Sequence, residues 1–174
     1  MKILALDIAS TTGICVGSSG ADPRAWSVSL GEGSQGRRLS QALKMTQGLI
    51  VHHKPDLVVG EAAIGGKNAS AFLIKLFGCV EAVCWNRGVK FEAAHSGTVR
   101  KHFVGKALTT RDFPHLKSDK AKKAAIKDVV IRRCMAMGWD VDNDPDAADA
   151  AATWDWACAT FCRSYQAKPV GGLF

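Results

Sequence analysis

Four carboxylates stand at three well-separated places in this chain: Asp7 closes the apolar run ILAL, Glu61 follows LVVG, and Asp146 and Asp149 form the ends of DAAD. Each adjoins a strand or helix signal, so each would be held at the mouth of a buried element. Desolvating such a charge costs several kcal/mol unless a cation or hydrogen bonds compensate. Oxygen donors of this kind suit Mg2+, with Mn2+ as a substitute. Asp146 and Asp149, three residues apart on a helix, share a face and can point into one site. Asp7 can bridge two ions while Glu61 and Asp149 complete separate coordination spheres. Two ions about 4 Å apart clamp the attacking and leaving oxygens of an in-line phosphodiester displacement. Structural roles compete for single members of the set: Asp7 could serve the turn before STTG, and Asp146 the first turn of its helix. The alternation DVDNDPD is not a calcium loop, because counting from Asp142 puts Ala147 where glycine is required and Thr153 where glutamate is. Asp140, Asp142 and Asp144 read as loop and capping residues.

The elements that must position these groups follow from periodicity and turn signals. KILALDI is an apolar run suited to a strand buried on both faces, GICVGSS and WSVSL return as second and third strands, and together they predict an antiparallel meander. A helix from Ser34 to near Lys54-Pro55, a strand in DLVVGEAA, a helix over Asn68 to Arg87 stopped by Gly88, and a strand in VKFEAAH come next. The stretch from Ser96 to Leu116 is basic and turn-rich. Ser118 is a cap for a helix over Asp119 to Met137, and Asp144 with Pro145 opens the last helix. The order predicts an α/β fold, a mixed five-stranded sheet flanked by helices.

The chain's 174 residues fit one domain over 1–165, with 166–174 a flexible tail. A hydrophobic share of 47% and no membrane-length apolar run predict a soluble protein with no membrane partner. The start MKILALDIAS lacks a signal-peptide core, which predicts a cytoplasmic location. Six cysteines without a CxxC pair predict reduced, mostly buried thiols.

Net charge is +7, yet residues 100–133 alone carry eleven basic side chains against three acidic ones. Clustered Lys and Arg displace counterions from nucleic acid, so this stretch predicts a phosphate-binding surface that includes Lys101, Lys106, Lys117, Lys120 and Lys123. A solvated helix face is the competing reading for SDKAKKAAIKD. His95 and His102 are candidate phosphate contacts or satisfied histidines. Trp139, Trp154 and Trp156 are candidates for base stacking, with core packing the better expectation for Trp154.

LALDIASTTGICV, LVVGEAAI, HSGTVRKHFVGKAL followed by SDKAKKAAI, and DAADAAATWDWA, in that order from Lys2 to about Cys162, resemble the RuvC family of Holliday junction resolvases. The resemblance is to a divergent member, of phage or prophage type. It implies a ribonuclease H-like fold and a homodimeric, Mg2+-dependent endodeoxyribonuclease. Its partner would be branched double-stranded DNA, and no organic cofactor is involved. Paired cuts in four-way junctions would leave 5′-phosphate and 3′-hydroxyl ends, in the service of DNA recombination and repair. By that resemblance Asp7, Glu61, Asp146 and Asp149 are the catalytic, metal-holding set. Lys120 matches the family's helix-start lysine and Lys106 a backbone-contacting position. Ile64, a candidate DNA contact, stands where the family commonly has an aromatic near the junction centre, so an aliphatic wedge would replace base stacking there. Gly65, Gly66, Lys67 and Asn68 would either let backbone and charge approach DNA or form a flexible turn, and the basic loop 105–118 is longer than the family pattern. Three alternatives stay open: a nuclease on forks or flaps, a non-catalytic nucleic-acid-binding module, and an actin- or sugar-kinase-like phosphotransferase, whose phosphate loop LDIASTTG also resembles.

Overall fold

A computed structural model describes residues 1–62 and 70–167. Strands β1 (Lys2–Asp7), β2 (Thr11–Ser18) and β3 (Arg24–Ser29) form the expected antiparallel meander. Helix α1 (Gln35–His53) leads to β4 (Leu57–Glu61), which pairs parallel with β1. Helix α2 (Ala71–Asn86) crosses to β5 (Lys90–Ala94), parallel to β4, so the sheet order is β3-β2-β1-β4-β5. Helices α3 (Ser96–Val104), α4 (Asp119–Ala136) and α5 (Pro145–Phe161) complete the chain.

Local chemistry sets these boundaries. Ser34, Ser70 and Ser118 each accept a hydrogen bond from a backbone N–H three residues on, satisfying donors that a helix start leaves free. Asp144 does the same for Asp146 and Ala147, with Pro145 pre-set for the first turn. Lys54 ends α1 in the left-handed region at φ 49°, and Pro55 prevents continuation.

The strands alternate between two cores. Leu4, Leu6, Ile14 and Val58 face Leu76 and Val80 of α2 and Ala42 and Ile50 of α1. Ile3, Ala5, Cys15 and Val59 face Phe103, Val130 and Trp154 on the three later helices. Helix α5 crosses β1, β2 and β3 closely because Ala147, Ala148, Ala150, Ala151 and Ala152 hold little volume between its backbone and the sheet. The indole of Trp154 is buried and donates to the Gly17 carbonyl at 3.2 Å.

One element departs from the sequence reading. The segment expected to be mixed and turn-rich contains α3, nine residues long, whose cap residue His95 makes no side-chain capping bond. Trp139 is also buried, stacked near Phe103 and donating to Asp22, so it is closed to bases. All six cysteines are free, and five of them are buried. No helix among the described residues is long and apolar enough to cross a membrane.

Candidate active site

Topology brings the scattered carboxylates to one end of the sheet. Asp7 and Glu61 close two strands that run parallel and adjacent, β1 and β4, so both side chains leave the sheet at the same edge. Asp146 and Asp149 approach from α5, whose first turn lies over β2. That approach depends on Gly13, the register partner of Asp7, where a Cβ would come within 1.9 Å of the Asp146 carbonyl oxygen. Beside Glu61, Gly60 leaves room for the side chains of Ile8 and Phe91, which a Cβ there would meet at 2.7 Å and 3.0 Å. The turn between β1 and β2 is closed by the Thr12 hydroxyl donating to the Ala9 carbonyl at 2.8 Å.

The four groups feel one another. Burial pushes the Asp7 carboxyl well above its ordinary range, and the charges of Glu61, Asp149 and Asp146 push it further. Burial raises Glu61 too, with Asp149 adding to it, while Arg100, a hydrogen bond from Ser96 and Lys127 pull it back. Asp149, 6% exposed, is raised by burial against the opposing pull of Arg100 and Lys127. The Lys127 ammonium bonds Asp146 at 2.7 Å and lies 3.9 Å from Asp149.

These residues fit hard divalent ions. The donors are all carboxylate oxygens, and three of them are forced toward the protonated form by burial and mutual repulsion, a condition that bound cations relieve. Among the described residues no three His, Cys, Asp or Glu side chains stand close enough together to hold a metal ion as they are placed. The carboxylates instead act on one another through their charges, with the Lys127 ammonium between Asp146 and Asp149.

Basic groups line the approach. Arg100 of α3 and Lys123, Ile126 and Lys127 of α4 bound a cleft of about 220 Å3. Asp7, Ile8, Ala9, Glu61, Leu73 and Phe77 bound a smaller one of about 120 Å3. Across the sheet edge, the Arg38 guanidinium stacks 4.2 Å from the Phe72 ring and reaches the Ser10 hydroxyl at 3.5 Å. A cavity of about 370 Å3 lined by Asp22, Trp139, Trp154 and Tyr165 lies toward the other end of β2 and holds none of the four carboxylates.

The expected DNA contacts divide. Lys123 lines the cleft; Lys101, Lys117 and Lys120 are exposed on or just before the helices that form it. Lys106, exposed, is paired with Asp112 of the capped turn at Thr109. Ile64 and Lys67 lie outside the described residues, as does the tail from residue 168 onward. His102 is a satisfied histidine, bonded through Nε2 to buried Asp155 at 2.7 Å, and Asp155 also accepts from the Tyr165 hydroxyl. Arg100, Lys127 and Arg38 were not singled out by sequence; the first two were merely members of the basic stretch.

Comparison with solved structures decides the architecture. Thermus thermophilus RuvC matches with a TM-score of 0.60 at 15% identity, over 92% of this chain and 96% of that one. The fold is that of RuvC. The same Thermus protein in complex with Holliday junction substrate matches with a TM-score of 0.59 at 13% identity, again over 92% of this chain and 96% of that one. No protein-family model matches the sequence, and no curated protein sequence does. The expected α/β, ribonuclease H-like architecture with a mixed five-stranded sheet is therefore the one this chain adopts, and its RuvC-like character lies in the fold at very low sequence identity.

Proposed function

We propose that this protein is a metal-dependent, structure-selective DNA endonuclease that resolves four-way junctions. The observation that carries the reading is the convergence of Asp7, Glu61, Asp146 and Asp149 at one edge of a RuvC fold, beside a cleft walled by Arg100 and Lys123. The Thermus RuvC bound to junction substrate supports branched DNA as the partner.

Asp7 and Glu61, fixed at strand ends, and Asp149, fixed on a buried helix face, would hold the ions with little freedom to shift, which is what a pre-organised site needs. When bound, divalent ions there supply Lewis-acid stabilisation of the phosphoryl oxygens and activate water at neutral pH. Arg100 and Lys123 orient the scissile strand by its phosphates, and Lys117, just before α4, and Lys120, in its first turn, extend the positive surface. Burial around Asp7 and Asp149 limits competing solvent. The products carry 5′-phosphate and 3′-hydroxyl ends.

Two incisions across a junction need two sites, and α2 offers a face for a second copy. Ala71, Ile74, Gly78, Ala82 and Trp85 are exposed at helical spacing, with Trp85 85% exposed and Ile74 49% exposed. A two-fold dimer would place this same stripe of each copy against the other.

The deciding experiment is cleavage of labelled four-way junction, fork, flap and plain duplex DNA with Mg2+, Mn2+ or EDTA, with Asp7→Asn alongside. Paired symmetric nicks confined to the junction, lost in EDTA and in the variant, support the proposal. Preference for forks or flaps moves the substrate, and binding without cutting on every DNA makes the protein a binding module.

A further inference from the structure

Lys120, Lys123 and Arg132 of α4 are exposed, but Lys127 enters the site itself. It sits about two turns into the helix, on the side that packs against α5. Its Nζ donates to Asp146 Oδ1 at 2.7 Å and stands 3.9 Å from Asp149 Oδ2, and its charge also acts on Asp7 and Glu61. Four carboxylates gathered at a partly desolvated edge repel one another, and an ammonium placed among them offsets part of that repulsion. Lysine suits such a post because its charge is compact and its four-carbon stem is flexible, so it can be held at one place and released to another.

We propose that Lys127 is a tethered counter-ion of the carboxylate site. Before a divalent ion arrives it keeps Asp146 and Asp149 assembled, and on arrival it competes with that ion for the same oxygens. The inference rests on the metal-dependent nuclease reading. Two facts make it specific. The bond to Asp146 uses a carboxylate that a metal would also need, so ammonium and ion cannot both hold that oxygen in the same way. The cleft adjoining Lys127 is also lined by Arg100 and Lys123, so an ammonium released from Asp146 has a phosphate-binding place beside it. Loading of the site and grip on the DNA strand are thereby coupled through one side chain.

Lys127 acts here as a positioning residue, and its test reads metal binding as well as cutting. Mn2+ titration followed by electron paramagnetic resonance would be run on wild type, Lys127→Met and Lys127→Arg, with melting temperatures recorded in EDTA. Lys127→Met should bind Mn2+ about tenfold more tightly, the size expected when a like charge near 4 Å is removed from a partly screened site. It should also melt lower in EDTA and recover when Mn2+ is added, whereas Lys127→Arg should stay near wild type in affinity. An unchanged or weakened Mn2+ affinity in Lys127→Met, with wild type binding normally, overturns the competition while leaving the nuclease reading intact. If neither protein binds Mn2+, both fall. Should Lys127→Met fail to fold, Lys127→Gln keeps a donor to Asp146 without the charge and is expected to show the same tightening. In the wild-type protein, lysines carrying 13C-methyl labels offer an independent check: the Lys127 resonance should move on Mg2+ addition, and a static resonance at saturating Mg2+ overturns the proposal.

Discussion

Asp7 and Gly13 face each other across the β1–β2 ladder, and the space above Gly13 is filled by the Asp146 carbonyl, which a Cβ at that position would approach to 1.9 Å. The missing side chain therefore sets the distance between a strand carboxylate and the helix that carries its two partners. The obstacle is backbone, which cannot swing aside as a flexible side chain would.

Gly13→Ala should accordingly push α5 off the sheet or fail to fold. A loss on the order of 3 kcal/mol or more is expected, at the upper end of overpacking effects, because the clash is with main chain. Urea denaturation checks it. Gly36→Ala, at a position where an added Cβ meets nothing within 4 Å, serves as the control and should change little.

Asp7→Asn should lower cleavage about a thousandfold or more, as removal of several kcal/mol of metal-borne transition-state stabilisation would. Without metal, the same substitution should raise the melting temperature at neutral pH, since it removes a buried charge repelled by Glu61, Asp149 and Asp146. Single-turnover kinetics and thermal melts in EDTA read the two effects separately. A variant that cuts at the wild-type rate would sink the metal-site assignment.

Stability of the metal-free protein should depend on pH in a defined direction. Burial, with help from neighbouring carboxylates, raises Asp7, Glu61 and Asp149 in the folded state, so the native protein binds protons more tightly than the unfolded chain there. Their contribution is fullest at the acid end and is lost as pH rises from the ordinary carboxylate range through the raised folded values. Urea titrations in EDTA from acid to neutral pH should show that decline, and saturating Mn2+ should reverse it at neutral pH.

Lys123→Ala should weaken junction binding and reduce the slope of log K against log salt by about one, the signature of one lost phosphate contact. Arg132→Ala removes a cation already paired with Asp128 at 2.9 Å on the exposed surface, and should leave the slope nearly unchanged. Fluorescence anisotropy across a salt series distinguishes the two.

Trp85→Glu should turn a dimer into monomers in sedimentation velocity while leaving the fold intact, because the side chain is 85% exposed in the single chain. A variant that sediments as wild type removes α2 from the interface.

Much of this architecture was legible along the chain because local rules specify it. Alternating or continuous apolar runs placed all five strands, and the serine and aspartate caps at Ser34, Ser118 and Asp144 marked three helix starts. Helix α3 escaped because its apolar contribution is confined to Val99, Phe103 and Val104, among basic residues, with no capping side chain to announce it. Trp139 was left open to DNA because an indole near a loop looks the same in sequence whether it stacks on a base or on Phe103.

The four carboxylates could be named from sequence because charge at the end of an apolar run is costly wherever it occurs. What sequence spacing cannot convey is which cations meet them. Helix α4 carries lysines on several faces, and nothing in their spacing separates Lys127, which touches Asp146, from Lys120, which is exposed. That choice was made by how α4 packs on α5, a contact set by buried Val130 and Cys134 against the alanines that follow Asp146. The sequence by itself determined the five strands, four of the five helices, their order and the acidic groups at their ends. Only the tertiary structure decided that Gly13 admits α5, that Arg100 and Lys127 stand over the carboxylates, and that Lys106 does not, because those relations join residues whose separation along the chain carries no information about their distance in space.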